Sequence, residues 1–303
     1  MRRYAVRHET RYAYEAPVDL GLHVLRLTPL DTVRQRVLGQ SLSILPEPTR
    51  SRSFVDHFGN VVHHVAVETS HDHLAVTLEA TVEVASGGAS PADGPAWESV
   101  REAMRGDGFP APPAVAEFVY PSPLAAPVDA ATAYAAPSFA AGRPLLPALA
   151  ELTARIHGDF AYVANATDIS TKVAEVIATR RGVCQDFAHA MTAGLRGLGL
   201  PARYVSGYIR TDVGAGLVGA GASHAWVSVW CGEAIGWVEF DPTNDMVVTD
   251  QHVVVAYGRD FSDVTPLRGV ILGGGNHKLD VAVTMTETAP EAVGAAGATA
   301  PLG

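Results

Sequence analysis

The sequence predicts an α+β protein: a β-rich, sandwich-like N-terminal domain, followed by a core in which a helix packs on an antiparallel sheet. Three observations carry this. Apolar and polar residues alternate through about the first 85 positions. Between residues 170 and 198 the apolar spacing turns helical, and beyond residue 200 short alternating strands return. The chain has 303 residues, long enough to suggest two domains, and 48% apolar residues suffice for substantial cores.

Taken in order, "YAVRHETRYAYE", "VLGQSLSILPE" and "HLAVTLEATVEV" alternate as half-buried strands do. "SFVDHFGNVVHHVAVE" reads as a hairpin turning at Asp56 to Asn60, where Gly59 and Asn60 tolerate positive φ. Residues 1–85 thus form the β-rich module. "SGGASPADGPA", residues 86 to 96, is linker-like and opens a Pro/Ala-rich connecting segment, 86–144, with short helices. The core spans 145–288, and its first helix is expected from about 145 to 157.

"STKVAEVIATR" is helical, with Ser170 or Thr171 as N-cap. "CQDFAHAMTAGLRGLGL" is helical too. Phe187, Ala190, Met191, Gly194, Leu195 and Leu198 line one face, and Gly199 and Pro201 end it. "ARYVSGYI", "HAWVSVW" and "GWVEF" read as strands, and the glycine-rich "TDVGAGLVGAGAS" as a mobile loop between the first two. "LGGGN" is a turn before a last strand, "LDVAVTMTE", and lacks the strand–GxGxxG–helix setting of a dinucleotide site. Residues 289–303 read as a disordered tail.

The formal charge of −10, with basic residues scattered, argues against nucleic acid as a partner. Twenty arginines against two lysines read as a coding bias. The start, "MRRYAVRHETRYAY", has no apolar h-region, and no run of 18 apolar residues suggests a membrane span. Two cysteines make no disulfide framework, so a cytoplasmic, reducing setting is expected. The pattern suggests no cofactor and leaves the oligomeric state open.

Cys184 follows Gly182 and opens the 184–198 helix, where unsatisfied N–H groups and the helix dipole favour a thiolate. The same N–H groups can receive a developing oxyanion. Asp186 suits the dipole there, a sufficient reading of it by itself. His224 starts "HAWVSVW" and Asp241 closes "GWVEFDPTN"; the short turn "CGEAI" should pair the two strands and set these side chains together. Cys184, His224 and Asp241 then form a nucleophile, a base and an orienting acid. Singly, each has a plainer reading as a packed cysteine, a surface histidine and a turn aspartate. The residue pattern alone divides about evenly between the two.

"RRGVCQDFAHAMTAGLRGLGLPARYVSGYI", "SHAWVSVW" and "GWVEFDPTND" together resemble the core of the bacterial transglutaminase-like superfamily of papain-like cysteine enzymes. The first 85 residues, with "FVDHFGN", resemble the β-rich N-terminal domain of one bacterial branch, and "YGRDFSDVTPLRGVILGGGNHKLDVAV" its C-terminal part. The resemblance implies Cys184 as nucleophile, His224 as general base and Asp241 as orienting acid. Papain-like proteases carry a Gln six residues before the nucleophile; Ala178 stands there, so that oxyanion donor is missing. Tyr162 is a weak candidate replacement, and a core tyrosine is the favoured reading of it. The implied activity is hydrolysis of a peptide or amide, with transfer to an amine second and a non-catalytic peptide-binding module as the reading of another class.

"HHVAVETSHDH" holds His63, His64, His71 and His73. His71 and His73 would share a strand face, but a solvated hairpin edge is favoured and no metal is expected. His189 points away from the sulfur and reads as structural, and Cys231 as a free thiol.

Overall fold

The computed structural model describes residues 1–86, 94–105, 112–164, 166–211, 216–219 and 221–288. The linker reading at 87–93, the loop reading at 212–215 and 220, and the tail reading at 289–303 lie outside them.

Strand β1 (Arg2–Leu25) is the spine of the first sheet. Its first half alternates because every second side chain from Tyr4 to Thr10 is buried. With β2 (Gln35–Leu45), β3 (Arg50–Val55), β4 (Val61–Val67) and β5 (His71–Val84) it gives the order β2-β5-β1-β4-β3, all antiparallel. The β3–β4 hairpin turns at Asp56 to Asn60 as the sequence implies, but only Gly59 takes a positive φ, +87°. Asn60 serves otherwise, as described below.

The connecting segment holds α1 (Trp97–Arg105), α2 (Pro113–Ala116) and α3 (Asp129–Ala135). Then come α4 (Leu145–Asp159), the two-residue strand β6 (Ala161–Tyr162), α5 (Val173–Thr179) and β7 (Arg181–Gly182). Helix α5 is capped by Lys172 without a side-chain bond. Ser170 and Thr171 instead bond to Asp168 in the preceding turn, since a hydroxyl near a turn aspartate finds a closer partner there.

Helix α6 (Cys184–Gly197) is buried on every side from Asp186 to Arg196, rather than along one stripe. Layers on all sides account for this. Gly194 lies against the Ala131 carbonyl of α3, where a Cβ would come within 2.9 Å. Met191, Leu195 and Phe187 join the core shared with the second sheet. Arg196, buried at the far end, donates to the carbonyls of Phe118, Ala125, Ala202 and Arg259 and to the Ser122 hydroxyl, so its charge is fully solvated by protein.

The second sheet comprises β8 (Ala202–Ile209), β9 (His224–Trp230), β10 (Trp237–Asp241), β11 (Met246–Val247) and β12 (His252–Gly258). Its order is β11-β10-β9-β8-β12, antiparallel throughout. After α7 (Phe261–Val264), β13 (Leu267–Gly273) and β14 (His277–Thr288) return to the first sheet. Both pair with β1, with Leu25 opposite Leu267 and Val6 opposite Met285. The sequence places these residues with the core; alternation identifies a strand but not its partner, and here the partner lies at the other end of the chain.

Strand β12 is an edge, and the N-terminal module closes it with side chains. Gln35 donates to the Val254 carbonyl at 2.8 Å and accepts the Val254 N–H at 2.7 Å. Asn60 does the same for Tyr257, at 2.8 Å each way. Each carboxamide thus imitates a neighbouring strand, which covers an otherwise open edge. Among the described residues no helix is long and apolar enough to cross a membrane.

Asn60→Ala should therefore leave two part-buried backbone groups of Tyr257 unpaired and cost about 2–6 kcal/mol, at 1–3 kcal/mol per orphaned group. The urea midpoint measures it. A loss below about 0.5 kcal/mol, the size of an ordinary surface change, would show the edge to be satisfied in another way.

Candidate active site

Cys184 is the first residue of α6, after the extended N-cap Val183. The chain is held in this approach by Asp186, whose Oδ2 accepts the Val183 N–H at 2.7 Å and the Thr167 hydroxyl at 2.6 Å. Burial pushes the Asp186 carboxyl up, and these hydrogen bonds work against that rise. Asp186 therefore fixes the turn geometrically, beyond any interaction with the helix dipole. Gly182 is required there, because a Cβ would lie 2.6 Å from Asp186 Oδ2. The N–H groups of Asp186 and Phe187 donate to the Val183 carbonyl, and those of Cys184 and Gln185 have no partner within the helix, as at any helix start. Cys184 is 9% exposed.

Both cysteines are free. Cys231 lies in the turn between β9 and β10, and its thiol donates to the Val229 carbonyl. Burial pushes it up to about 12, so it stays a thiol.

The β9–β10 hairpin pairs Val227 with Phe240, and just beyond that pair His224 and Asp241 meet. His224 Nε2 donates to Asp241 Oδ2 at 2.9 Å, with both side chains fully buried. Nδ1 makes no hydrogen bond, and the Cys184 thiol is near enough to bear on the protonation of the ring. Burial alone would lower the basicity of His224; the negative charge of Asp241, and then that of Cys184, outweigh it and raise it. Burial would likewise raise Asp241, but the charge and hydrogen bond of His224 and the hydrogen bond of His252 hold it well below the usual carboxylate range.

Two further residues complete the site. His252, at the start of β12, donates from Nε2 to the same Asp241 Oδ2 at 3.1 Å. Asn244 donates its amide to that oxygen at 2.7 Å, while its Oδ1 accepts the Val218 N–H. The Thr243 and Asn244 N–H groups take Asp241 Oδ1. Sequence reasoning missed both side chains. Asn244 had a signal, the carboxamide three residues after Asp241 in "DPTN". His252 had none, since nothing local ties the start of one strand to the end of another.

Tyr162 is not a core tyrosine: it is 38% exposed. The parallel pairing of β6 with β7 sets it opposite Gly182, two residues before the nucleophile position. Its ring edge meets Phe187. A Cβ on Gly219 would lie 3.0 Å from His224 Nδ1 and 3.4 Å from the Tyr162 hydroxyl, so both border one small space. Burial chiefly, then the charges of Cys184 and Asp186, push Tyr162 up to about 12, which keeps its hydroxyl a donor.

The remaining histidines stand apart. His189 is buried, with Nε2 accepting the Phe261 N–H and its ring on Tyr204. His71 is buried and bonds to the Thr69 carbonyl, whereas His73 is exposed beside Asp72. Their burial differs beside the shift in β1–β5 register between Ala13 and Val18, the residues they pair with. Among the described residues, His224, Asp241 and His252 bring ligand atoms within 4.8 Å of one another. There both Nε2–H groups and the Asn244 amide converge as donors on one oxygen, an arrangement suited to hydrogen bonding rather than to holding a cation.

Residues 4–83 match the bacterial transglutaminase-like N-terminal region, and residues 133–242, which contain Cys184, His224 and Asp241, match the transglutaminase-like superfamily. The chain is 40% identical over 297 residues to an uncharacterized protein of Mycobacterium tuberculosis, covering 93% of this chain and 91% of that one. Over 69 residues, 22% of this chain and 10% of the other, it is 45% identical to a protein-glutamine gamma-glutamyltransferase of Pseudomonas aeruginosa. Its fold is similar to that of a Cytophaga hutchinsonii protein named "Putative Cysteine Protease", with TM-score 0.72, 20% identity, and coverage of 96% of this chain and 92% of that one.

The buried pair has a pH signature. Asp241 is depressed, so its contribution to stability is present above the unfolded value of about 4 and lost as pH falls below it. His224 is raised, so its contribution is full below about 6.5 and lost as pH climbs through its raised folded value. The stability of the wild type over an Asp241→Asn/His224→Gln double variant should therefore peak between about pH 4 and 6.5. Urea midpoints across the pH range check this; an excess that grows steadily toward alkaline pH would contradict it.

Proposed function

The chain belongs to the bacterial transglutaminase-like superfamily, and from that membership and the buried Cys184–His224–Asp241 arrangement we propose a cysteine-dependent enzyme that hydrolyses a peptide or amide bond. One observation carries the reading: the 2.9 Å bond between His224 Nε2 and Asp241 Oδ2 leaves Nδ1 as the nitrogen free for the thiol.

The chemistry proceeds in two halves. The Cys184 proton passes to His224 Nδ1, whose basicity Asp241 raises, before the sulfur attacks the substrate carbonyl. The oxyanion is received by first-turn N–H groups of α6, and Tyr162 is the candidate second donor. The C–N bond then breaks, the proton on His224 passes to the departing amine, and a thioester to Cys184 remains. Water, deprotonated by His224, attacks that thioester, and the C–S bond breaks to give an acid and the free thiol. Throughout, Asp241 holds the ring by Nε2 and stabilises the imidazolium. A peptide or protein is the proposed substrate.

A second reading, transfer of the acyl group to an amine, is supported by the local similarity to the Pseudomonas aeruginosa glutamyltransferase. An amine would replace water in the last step and leave an amide.

Two measurements test this. Iodoacetamide near pH 6 should label Cys184 faster than a free thiol, and His224→Ala should slow it; labelling at the free-thiol rate would favour a non-catalytic peptide-binding module. Wild type and Cys184→Ala are then incubated with a peptide library, with and without a primary amine, and products are read by mass. Cleavage or deamidation should dominate and vanish in Cys184→Ala. A majority of amine adducts would reverse the order of the two readings.

A further inference from the structure

We propose that His252 is a positioning residue for the reaction, fixing through Asp241 the orientation and basicity of His224. The inference rests on the triad reading above. Its first support is convergence: His224 and His252 donate to the same carboxylate oxygen, at 2.9 and 3.1 Å, and all three side chains are fully buried.

The contact is built rather than incidental. In the order β10-β9-β8-β12, Asp241 and His252 lie three strand spacings apart. At about 4.8 Å each that is about 14 Å in a flat sheet, more than the two side chains span. They meet because the sheet curls at this end, and Gly207 of β8 permits the close approach. Gly207 pairs with His224 on one side and Val254 on the other. A Cβ there would lie 2.2 Å from the Val253 carbonyl oxygen and 2.4 Å from the Trp226 ring. The Trp226 indole fills the room, stacked on His224 at 29° and edge-on to His252 at 76°.

The second support is cost. His252 Nδ1 is buried without a partner. An unpaired buried polar atom is unfavourable, and an apolar side chain of similar volume would avoid it. What the imidazole adds is one N–H aimed at Asp241. Since a carboxylate only accepts, His252 carries its proton on Nε2. As a donor it prevents Oδ2 from turning away from His224 and draws off part of the charge that His224 reads. Among the described residues, charged and titratable groups near the pair include Asp241 from β10, Cys184 from α6 and Tyr162 from β6, while Arg34, Arg203, Tyr257 and Glu239 line the cavity that His252 borders, Glu239 being held by the Trp226 indole N–H.

The test compares wild type, His252→Met and His252→Gln, using iodoacetamide alkylation of Cys184 across the pH range, with thermal midpoints as the check on folding. His252→Met should slow alkylation about tenfold, the order seen when an outer hydrogen-bonding partner is lost, and should shift the pH profile. His252→Gln, which keeps an N–H, should recover most of the rate. A Met variant that alkylates with the wild-type rate and profile would overturn the inference, as would a Gln variant as slow as Met. Nitrogen NMR of the wild type gives a readout independent of variant folding: His252 should be protonated on Nε2, and protonation on Nδ1 alone overturns the proposal. A wild-type rate no faster than a free thiol would instead overturn the triad reading, and this inference with it.

Discussion

A carboxylate with no exposed surface has to be neutralised where it lies, and Asp241 is such a group. Five donors reach it: the two histidine Nε2 atoms, the Asn244 amide, and the N–H groups of Thr243 and Asn244. They come from β9, from β12 and from the turn after β10, so the charge is satisfied only when those three segments are in register. The requirement extends outward. Strand β12 holds its place partly because Gln35 and Asn60 complete its open edge, and those residues belong to the first sheet. The N-terminal module is thereby tied, through β12, to the geometry of His224.

Helix α6 is the other fixed element. Its N-terminus presents Cys184 where the hairpin presents His224, and its far end is held by Arg196. Burying a helix on all sides demands small residues where neighbours come close, and Gly194 and Gly197 meet Ala131 and Thr132 of α3 there. It also demands that each buried polar group find a partner. Arg196 does so with five different residues, joining α6 to the connecting segment, β8 and the end of β12. A rigid helix start and a rigid hairpin can then hold a thiol and an imidazole in a constant relation.

Much of this was legible because it is local. Strand alternation, the helix from Cys184 and the short "CGEAI" turn depend on residues close in sequence, and the turn sets His224 beside Asp241 at one end of a hairpin. What failed was non-local or finely balanced. The full burial of α6 cannot be seen in a pattern that shows one apolar face. Lys172 caps α5 because Asp168 has taken Ser170 and Thr171. His71 is buried and His73 exposed beside a register shift that no local residue announces.

By itself, then, the sequence determined the kinds of elements, the helix start that carries Cys184 and the hairpin that carries His224 and Asp241, since each follows from periodicity and short turns. Only the tertiary structure decided that β13 and β14 join the first strand, that Tyr162 stands beside the thiol by pairing with Gly182, and that His252 reaches Asp241 across a curled sheet. The reason is physical. Local patterns report which face of a segment is buried, whereas the identity of a partner depends on how distant segments share space, and the chain settles that only when it folds.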